Sequence, residues 1–346
     1  MSIHEVAKRA KVSIATVSRT LHNNPRVSPE TAARVWEAIR DLKYYPNTHA
    51  QSLASGRSHI VGMIVSDITN PFFPEMVRGF EEVASSRGYD TIISSTNYEP
   101  ARTATAVRRM IERKVDGVGI MTSEMDQELV DEMANREVPM VFLDNANPGR
   151  RISNLRIDYV AGVNLAVRHL LELGHRRIGF LGGPSDLKSA RARQDAFLEC
   201  LRNFGIMGDE RSMEAGNHRI DGGLAAMQKL LKLSPPPTAV LASNDLTAIG
   251  AFRGIRNAGL KVPEDISVVG FDDIELAEFT EPPLTTVRLC RAEIAEKAFD
   301  CLLLNMEFGR EGGSEVVIST RLVVRNSTAA PRKKRRGDSV RRSFRG

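Results

Sequence analysis

Apolar residues near the start of the chain recur at the three- and four-residue spacing of short amphipathic helices. The first helix is predicted to begin after Ser2, because Glu5 lies three residues further on and the two can form a capping box. Ser2 is also a candidate DNA contact. A turn of about four residues leads to a second helix, in which Val17 continues the apolar stripe and completes a helix-turn-helix. The outer face of this second helix carries Ile14, Ala15, Ser18 and Arg19.

A third helix is predicted directly after this pair. Ser28 suits its N-cap and Pro29 its first helical position. Val35, Trp36 and Ile39 form its packing stripe. Three short helices around a small core are typical of DNA-binding domains, and an ordinary amphipathic hairpin is the alternative. We therefore expect a DNA-binding headpiece.

The side chains on the outer face of the second helix suit contacts with duplex DNA. Arg19 can donate two hydrogen bonds to guanine O6 and N7 in the major groove, a geometry that lysine cannot copy. Ile14 and Ala15 offer apolar contact to thymine methyl groups. The hydroxyls of Thr16 and Ser18 can bind phosphate oxygens. These are the candidate base and phosphate contacts.

From residue 60 onward, short apolar runs alternate with amphipathic helical segments. This alternation predicts parallel βαβ units, and its length suits two doubly wound lobes. Glycines at positions 88, 174 and 205 follow helical segments and are typical helix stops. Ligands of such sheets bind beyond the carboxyl ends of the strands. The predicted strands are Ile60 to Val65, Thr91 to Ser94, Val118 to Met121, Met140 to Leu143, Arg177 to Leu181, Ala239 to Ala242 and Ile266 to Gly270.

The length of 346 residues suggests two or three domains, and a hydrophobic content of 42% can fill their cores. No apolar run is long enough to cross a bilayer, and the N-terminus lacks the pattern of a secretory signal. The three cysteines, Cys200, Cys290 and Cys301, are too scattered for a disulfide framework or a metal site. We expect a cytoplasmic protein without metal or cofactor, associated with the nucleoid when it holds DNA.

The formal net charge of +5 is unevenly distributed. Residues 1–59 carry nine Lys/Arg against four Asp/Glu, and residues 331–346 carry eight against one. The segment between them is therefore acidic and should repel phosphate backbones. The last residues lack apolar periodicity, which predicts a disordered basic tail that either adds nonspecific DNA affinity or is simply solvated.

Motifs for catalysis are absent from the sequence. It contains no Gly-x-Ser-x-Gly elbow, no phosphate loop ending in Gly-Lys-Ser/Thr and no metal-spaced group of His and Cys. The glycines within residues 179–183 lack the dinucleotide-binding fingerprint. We therefore expect a binding protein and not an enzyme.

Several motifs make the chain similar to the lactose-repressor (LacI) family. Ala-Thr-Val-Ser-Arg at residues 15–19, Val-Ser-Pro-Glu-Thr at 27–31 and Tyr-Pro-Asn at 45–47 resemble the headpiece of that family, and the resemblance continues to about residue 328. It implies an all-α helix-turn-helix headpiece followed by an α/β periplasmic-binding-protein-like body. Lys11 departs from the usual glycine, which ends the first helix in a left-handed conformation that lysine tolerates less well.

Residues 47–58 connect headpiece and body. Asn47 can cap a short helix that carries Ala50 and Leu53, and a helix of this length is marginally stable alone. The resemblance implies a hinge helix that pairs with its copy in the minor groove, where Leu53 wedges between base steps and kinks the duplex. A plain linker is the alternative.

The segment after the first predicted strand resembles the family signature Asp-x-x-Asn-Pro-Phe-Phe, here at residues 67–73. Adjacent aromatic side chains suit a stacking wall, although such a pair is also common in a protein core. The resemblance implies that Asn70, Phe72 and Phe73 line a ligand cleft.

Carboxylates, amides and arginines follow the other predicted strands. Together these side chains suit the recognition of neighbouring hydroxyl groups on a ligand. Each aspartate is alternatively a helix cap or a turn residue. Asp245 and Asp273 are interpreted as caps. The resemblance implies ligand contacts for Asp144, Arg193, Asn244 and Asp272.

Departures from sugar-binding relatives at Asn145, His218 and Leu289 leave the effector open. His218 is a candidate contact that could accept, donate or become charged near neutral pH, and a purely structural role is the alternative. We expect a sugar or sugar acid as effector. A purine-like compound or another small metabolite is the alternative.

The sequence therefore predicts a ligand-responsive regulator of transcription. We expect a homodimer on near-palindromic operator DNA that represses a carbohydrate-utilisation operon, with activation and corepression left open. A solute-binding module for transport or chemotaxis is the rival function. The predicted domains are the headpiece at 1–46, the hinge at 47–58, the two-lobed effector-binding and dimerisation body at 59–328 and the tail at 329–346.

Overall fold

The computed structural model describes residues 2–21, 24–44, 56–122, 125–206, 210–308 and 312–332. The chain divides into two units, Met1–His59 and Ile60–Gly346. The predicted hinge residues Asn47, Ala50 and Leu53 lie outside the described residues, as does the basic tail after Arg332. No described helix is long and apolar enough to cross a membrane.

The first unit consists of three helices around a small apolar core. Val6, Val17 and Val35, one from each helix, have no exposed surface. The prediction that Trp36 belongs to the packing stripe is wrong, because its side chain is 38% exposed and Ala38 takes the buried position one turn after Val35. The helices are α1 (Ile3–Ala10), α2 (Ile14–Leu21) and α3 (Pro29–Asp41).

The predicted helix ends of the first unit are confirmed. The backbone N–H of Ser2 donates to Oε2 of Glu5 over 2.6 Å, as a capping box requires. Ser28 caps α3 by accepting from the backbone N–H of Thr31. Lys11 ends α1 in the left-handed conformation, with φ of 54° and ψ of 48°. The turn thus has the geometry in which glycine is the usual residue.

The second unit contains two lobes, each with a six-stranded sheet. The strand positions predicted from the sequence are confirmed, with ends that differ by one or two residues. In chain order its elements are β1 (Ile60–Val65), α4 (Phe72–Ser86), β2 (Asp90–Ser95), α5 (Pro100–Glu112), β3 (Gly117–Met121), α6 (Gln127–Asn135), β4 (Met140–Leu143), β5 (Ile152–Ile157), α7 (Tyr159–Glu172), β6 (Ile178–Leu181), α8 (Lys188–Asn203), β7 (Met213–Glu214), α9 (Ile220–Leu230), β8 (Ala239–Ala242), α10 (Asp245–Asn257), β9 (Ser267–Asp272), β10 (Thr285–Leu289), α11 (Arg291–Phe308), β11 (Glu315–Ile318) and β12 (Thr320–Val323).

The first lobe has the strand order β11-β5-β4-β3-β1-β2, and all its pairings are parallel. The second lobe has the order β12-β10-β9-β8-β6-β7. Its sheet is parallel except for β12, which pairs antiparallel with β10 and so departs from the predicted all-parallel lobe. Only Ser319 separates β11 of the first lobe from β12 of the second, so the chain crosses between the lobes there without an intervening helix.

The chain passes between the lobes three times, after β5, after β10 and after β11. Each lobe is therefore built from segments that are distant in sequence. The buried face of the first lobe includes Phe80 and Phe299, whose ring centroids are 5.6 Å apart although the residues belong to α4 and α11. Because all strands of both sheets except β12 are parallel, a ligand site is expected at the carboxyl ends of these strands.

Candidate functional site

A cleft lies at the carboxyl ends of strands from both lobes. Its walls come from the segments that follow β1, β4, β5, β8 and β9, together with the first turns of α8. Tyr98, Tyr159 and Ser189 also line this cleft, and the sequence analysis had not identified them. The structure brings together every residue predicted for effector binding, namely Asn70, Phe72, Phe73, Asp144, Arg193, His218, Asn244 and Asp272.

Arg193 is the central charged side chain of the cleft. Its guanidinium carbon lies 4.5 Å from the ring centroid of Tyr159 and 4.8 Å from that of Phe271. One guanidinium nitrogen is 3.6 Å from Oδ1 of Asp272, but Nε has no hydrogen-bond partner among the described residues. The aromatic faces stabilise the buried cation, and its buried Nε–H is left without an acceptor in the described structure.

Asp272 ends β9 with its backbone at a φ of 111°, and it is buried. Burial raises the pKa of this carboxyl to about 6, against the opposing effect of Arg193 and Arg291. Arg291 also donates to the backbone carbonyl of Asp272 over 2.6 Å and so fixes the end of the strand. At neutral pH the side chain is mainly a carboxylate that accepts hydrogen bonds.

Asp144 follows β4 and is held by the next strand. Its Oδ1 accepts from the backbone N–H of Ile157 and its Oδ2 from the hydroxyl of Tyr159, both over 2.7 Å. Burial raises the pKa of Asp144, although these two hydrogen bonds act in the opposite direction. Tyr159 therefore positions Asp144 while its ring supports Arg193. Tyr159 was not predicted as a cleft residue because the sequence pattern did not predict β5, the strand that precedes it.

Asn244 combines two structural tasks with its place in the cleft wall. Its Oδ1 accepts from the backbone N–H of Thr247 and caps α10, while its Nδ2 donates to the carbonyl of His218. The amide is thus already engaged on both sides. Asn244 therefore caps a helix as well as lining the cleft, and these two bonds do not use the second N–H of its Nδ2.

The interpretation of Asp245 and Asp273 as helix caps is wrong. Asp245 accepts from the backbone N–H of Ile274 and from the hydroxyl of Thr286, so it joins β9 to β10. Asp273 forms ion pairs with two arginines of neighbouring segments. Both carboxylates hold the strand ends that carry Asp272.

His218 is buried with a φ of 59°, and its Nε2 has no hydrogen-bond partner in the described structure. Burial, reinforced by the charge of Arg193, lowers the pKa of this imidazole to about 3. The ring is therefore neutral at physiological pH, and the expectation that it becomes charged near neutrality is wrong. A side chain at Gly183 would collide with the ring, so this glycine makes room for it.

Phe72 and Phe73 form an edge-to-face pair at the start of α4, with ring centroids 5.3 Å apart. Asn70 fixes the turn before them, since its Oδ1 accepts from the backbone N–H of Phe72 over 3.2 Å. Both rings are mostly buried and belong to the cleft lining as well as to the core. The interpretation of this pair as a wall of the cleft and its interpretation as part of the core are therefore compatible.

Polar bridges connect the lobes, among them those formed by Arg219 and Lys188. Nη2 of Arg219 lies 2.8 Å from Oδ2 of Asp67 and 3.0 Å from Oδ1 of Asn97. Nζ of Lys188 donates to Oδ1 of Asn145 over 2.8 Å. Arg219 and Lys188 belong to the second lobe and their partners to the first, so these contacts hold the lobes together.

In the first unit, α2 presents the predicted DNA contacts. Ile14, Ala15 and Arg19 are exposed, and Thr16 and Ser18 are half-buried. The helix is fixed at its start by Ser13, whose Oγ accepts from the backbone N–H of Thr16, and in its middle by the buried Val17. The outer face of α2 is therefore rigid and carries Arg19 near the end of the helix. Ser2 is exposed within the capping box at the start of α1.

Comparison with known proteins agrees with both parts of the chain. Residues 2–47 match the model for bacterial regulatory proteins of the lacI family, and residues 167–328 match the periplasmic binding protein-like domain. The HTH-type transcriptional repressor CytR of Escherichia coli (strain K12) is 36% identical over 95% of this chain and 96% of its own length. The ribose operon repressor of the same strain is 34% identical over 87% of this chain and 92% of its own.

Solved structures give the same result. The lac repressor dimer bound to operator and the anti-inducer ONPF has a TM-score of 0.85 at 30% identity and covers 95% of this chain and 99% of that chain. A LacI family regulator from Enterococcus faecium with bound ribose has a TM-score of 0.71 at 30% identity. The match covers 79% of this chain and 100% of that chain. Likeness in sequence and fold over nearly the whole length places this chain in the LacI family of bacterial transcriptional regulators.

Proposed function

We propose that this regulator represses a carbohydrate-utilisation operon by holding near-palindromic operator DNA as a homodimer, and that a small sugar in the cleft changes its affinity for that DNA. It would act in the cytoplasm, at the nucleoid. The observation that carries the proposal is the outer face of α2, where Arg19, Ile14 and Ala15 are exposed on a helix fixed from behind. The two relatives named above are repressors that match this chain over more than nine tenths of their own length, and they support this assignment.

The DNA contacts are tested by gel shift with the chain's own upstream DNA. Arg19→Ala should weaken operator binding by about 1–3 kcal/mol and relax the preference at one base pair. Arg19→Lys is the matched control, because it keeps the charge but loses the paired hydrogen bonds to guanine. Both variants should therefore lose specificity, while Arg19→Lys keeps more of the nonspecific affinity. Unchanged operator preference in both would refute the role of α2.

The hinge assignment rests on the sequence of residues 47–58 and is part of the same proposal. Leu53→Ala should weaken specific binding more than nonspecific binding, because the side chain would no longer enter the minor groove of the operator. Equal losses for operator and random DNA would instead support a plain linker. The proposed domains are a headpiece at 1–46, this hinge, a body at 59–328 and the tail at 329–346.

The charges of the cleft favour a neutral sugar over a sugar acid. Among the described residues that line the cleft, Asp144 and Asp272 stand against one cation, Arg193, which already lies beside Asp272, while His218 is neutral; Arg291, which also acts on Asp272, is not part of the lining. An anionic effector would meet this net negative charge. A polyol can donate hydroxyl groups to the carboxylates and accept from Nε of Arg193, with its apolar face against Phe72.

A thermal-shift screen tests the effector class, because a ligand of the folded protein raises its melting temperature. The screen compares D-ribose and other neutral sugars, the corresponding sugar acids, and purine bases. We expect a neutral sugar to give the shift, and Arg193→Ala or Asp272→Ala to abolish it. Arg19→Ala should leave it intact. A shift with purine bases alone would favour the second candidate, a flat heterocycle against the edge-to-face pair Phe72 and Phe73.

A further inference from the structure

The backbone at the end of β9, where Asp272 lines the effector cleft, has an uncommon conformation. Asp272 has a φ of 111° and the next residue, Asp273, a φ of 56°, so both lie in the region that favours glycine. Conformations of this kind persist only where surrounding contacts hold them in place. Neighbouring side chains must therefore fix the backbone that carries the Asp272 carboxylate.

Arg291 supplies two of these contacts. Its Nη1 donates to the backbone carbonyl of Asp272 over 2.6 Å, and its Nη2 donates to that of Asp273 over 2.7 Å. The planar guanidinium thus spans two successive carbonyls with donors at a fixed separation. A lysine ammonium would keep the charge but lacks this geometry. Arg291 therefore holds the backbone at the point where Asp272 meets the cleft.

The third nitrogen of the same guanidinium contacts the other lobe. Nε of Arg291 lies 2.6 Å from Oε2 of Glu75, and the two side chains are 13% and 26% exposed. Glu75 belongs to the first turn of α4 in the first lobe, whereas β9 and the turn after it belong to the second. A charge-assisted hydrogen bond between groups with so little exposure is stronger than a surface ion pair. Arg291 therefore joins α4 directly to the end of β9.

Arg291 also lies at one of the places where the chain crosses between the lobes. β10 ends at Leu289 in the second lobe, and Arg291 is the first residue of α11, which packs against α4 of the first lobe. A relative movement of the lobes must change backbone angles at such crossings. The contacts of Arg291 consequently depend on how the lobes are arranged.

We propose that Arg291 is a positioning residue of the effector site, which sets the orientation of Asp272 and makes it depend, through Glu75, on the position of the first lobe. This role rests on the proposed function, in which Asp272 contacts the effector. α4 begins with Phe72 and Phe73, which line the same cleft from the first lobe. Arg291 thus connects the polar contact in one lobe with the aromatic wall in the other.

The test is hydrogen exchange at the amide of Ile274 in the ligand-free, full-length chain. This N–H directly follows the turn and donates to Oδ2 of the buried Asp245 over 2.8 Å, so its exchange reports how firmly the turn is held. Glu75→Gln removes the charge of the partner in the first lobe but keeps an oxygen acceptor. Exchange at Ile274, in the second lobe, should become roughly tenfold faster. Mass spectrometry with fragmentation to single residues measures the rate.

Two further variants assign the effect to Arg291. Arg291→Lys should give a similar increase in the exchange rate, because lysine keeps the charge without the planar geometry. Arg291→Lys combined with Glu75→Gln should exchange at the rate of Arg291→Lys alone, since both changes break the same connection. Glu82→Gln is the matched control, because Glu82 lies on the same helix and pairs with Arg78 of that helix. It should leave the exchange rate unchanged.

Two results in the exchange experiment would overturn the proposal. A wild-type rate in Glu75→Gln would show that the first lobe does not act on the turn. A wild-type rate in Arg291→Lys would show that a positive charge suffices and that the guanidinium geometry positions nothing.

Effector binding is measured separately, by calorimetry with D-ribose or the neutral sugar that gives the largest thermal shift. Glu75→Gln and Arg291→Lys should each weaken binding by roughly tenfold, because Asp272 would be less firmly oriented, and Glu82→Gln should not. Wild-type affinity in both variants, despite faster exchange, would also refute the positioning role. If no sugar binds the wild-type chain, the proposed effector class fails, while the exchange rates still decide whether Arg291 links the lobes.

Discussion

Lys11 shows how one backbone conformation affects the stability of the first unit. A non-glycine residue in the left-handed region lowers the stability of the folded state by roughly 1–2 kcal/mol. A glycine removes this strain, but part of the gain is lost because glycine gives the unfolded chain more conformational freedom. Lys11→Gly should therefore raise the free energy of unfolding of this unit by about 1 kcal/mol. Trp36 is the only tryptophan of the chain and lies in α3, so its fluorescence during urea unfolding reports on this unit.

The control for Lys11→Gly is Lys8→Gly, because Lys8 lies inside α1 with ordinary helical neighbours. A glycine there should lower the stability of the unit by about 1 kcal/mol. Destabilisation by both substitutions would contradict the assignment of strain to the left-handed turn.

Asp272 should make effector binding depend on pH. In the empty cleft its pKa is about 6, and a hydroxyl donor of a bound sugar favours the ionised carboxylate. Affinity should thus be constant at neutral pH and fall as pH drops through about 6, by up to tenfold for each further unit. Isothermal titration calorimetry from pH 8 to pH 5, with a sugar found in the thermal-shift screen, measures this change.

Two variants assign the pH dependence to its group. Asp272→Asn should bind weakly with little variation between pH 8 and pH 5. His218→Gln should retain the dependence, because the pKa of His218 is lowered to about 3 and the ring does not titrate in this range. Loss of the pH dependence in His218→Gln would show that the imidazole, and not Asp272, is the titrating group.

Much of the cleft could be predicted from the sequence, because parallel strands bring their carboxyl ends to one edge. Asp144 and Asp272 follow strands with clear apolar runs, and both line the cleft. The exact partner of each polar atom could not be predicted. Asn244 caps the helix for which Asp245 was the predicted cap, and Asp245 instead joins two strands, because a shift of one residue decides which side chain faces the helix end.

At the scale of elements, the start of α9 contributes to how the lobes are held together. Arg219 reaches Asp67 and Asn97 of the other lobe, and Asp67 is buried. Arg219→Ala should favour an open arrangement of the two lobes, because their closed arrangement would no longer be stabilised by this contact. Effector binding should therefore weaken by roughly tenfold. Calorimetry measures the affinity, and hydrogen exchange at the amide of Thr69, which donates to Asp67, should become faster.

Lys229→Ala is the matched control for Arg219→Ala. Lys229 lies on the same helix, but it pairs with Glu214 of its own lobe. Its removal should change neither the affinity nor the exchange rate. Equal effects of the two variants would mean that the helix, and not the bridge, is responsible.

The sequence pattern missed β5, β11 and β12 because contacts between residues distant in the sequence determine these strands. β5 contains Ser153 and Asn154, whose polar side chains are buried and interrupt the apolar run. Ser153 donates to Asn305 of α11, a partner 152 residues away that no local pattern reveals. β11 and β12 form one continuous β-rich stretch in the sequence, and its division between two sheets depends on tertiary contacts.

At the scale of the molecule, the two units should unfold separately. Among the described residues, the core of the first unit has six buried apolar residues, whereas the second unit has many more. In urea, the fluorescence of Trp36 should change before the far-ultraviolet circular dichroism of the whole chain. An effector sugar should move only the later transition. Coincident transitions would contradict this independence.

The repeated passage of the chain between the lobes has a consequence for synthesis on the ribosome. The first lobe lacks the ring of Phe299 until residue 299 has been translated, and its outer strand β11 until residue 318. Its N-terminal part therefore emerges with uncovered apolar surface that only the last segments can close. A nascent chain that stops early would leave both lobes incomplete and exposed to chaperones and proteases.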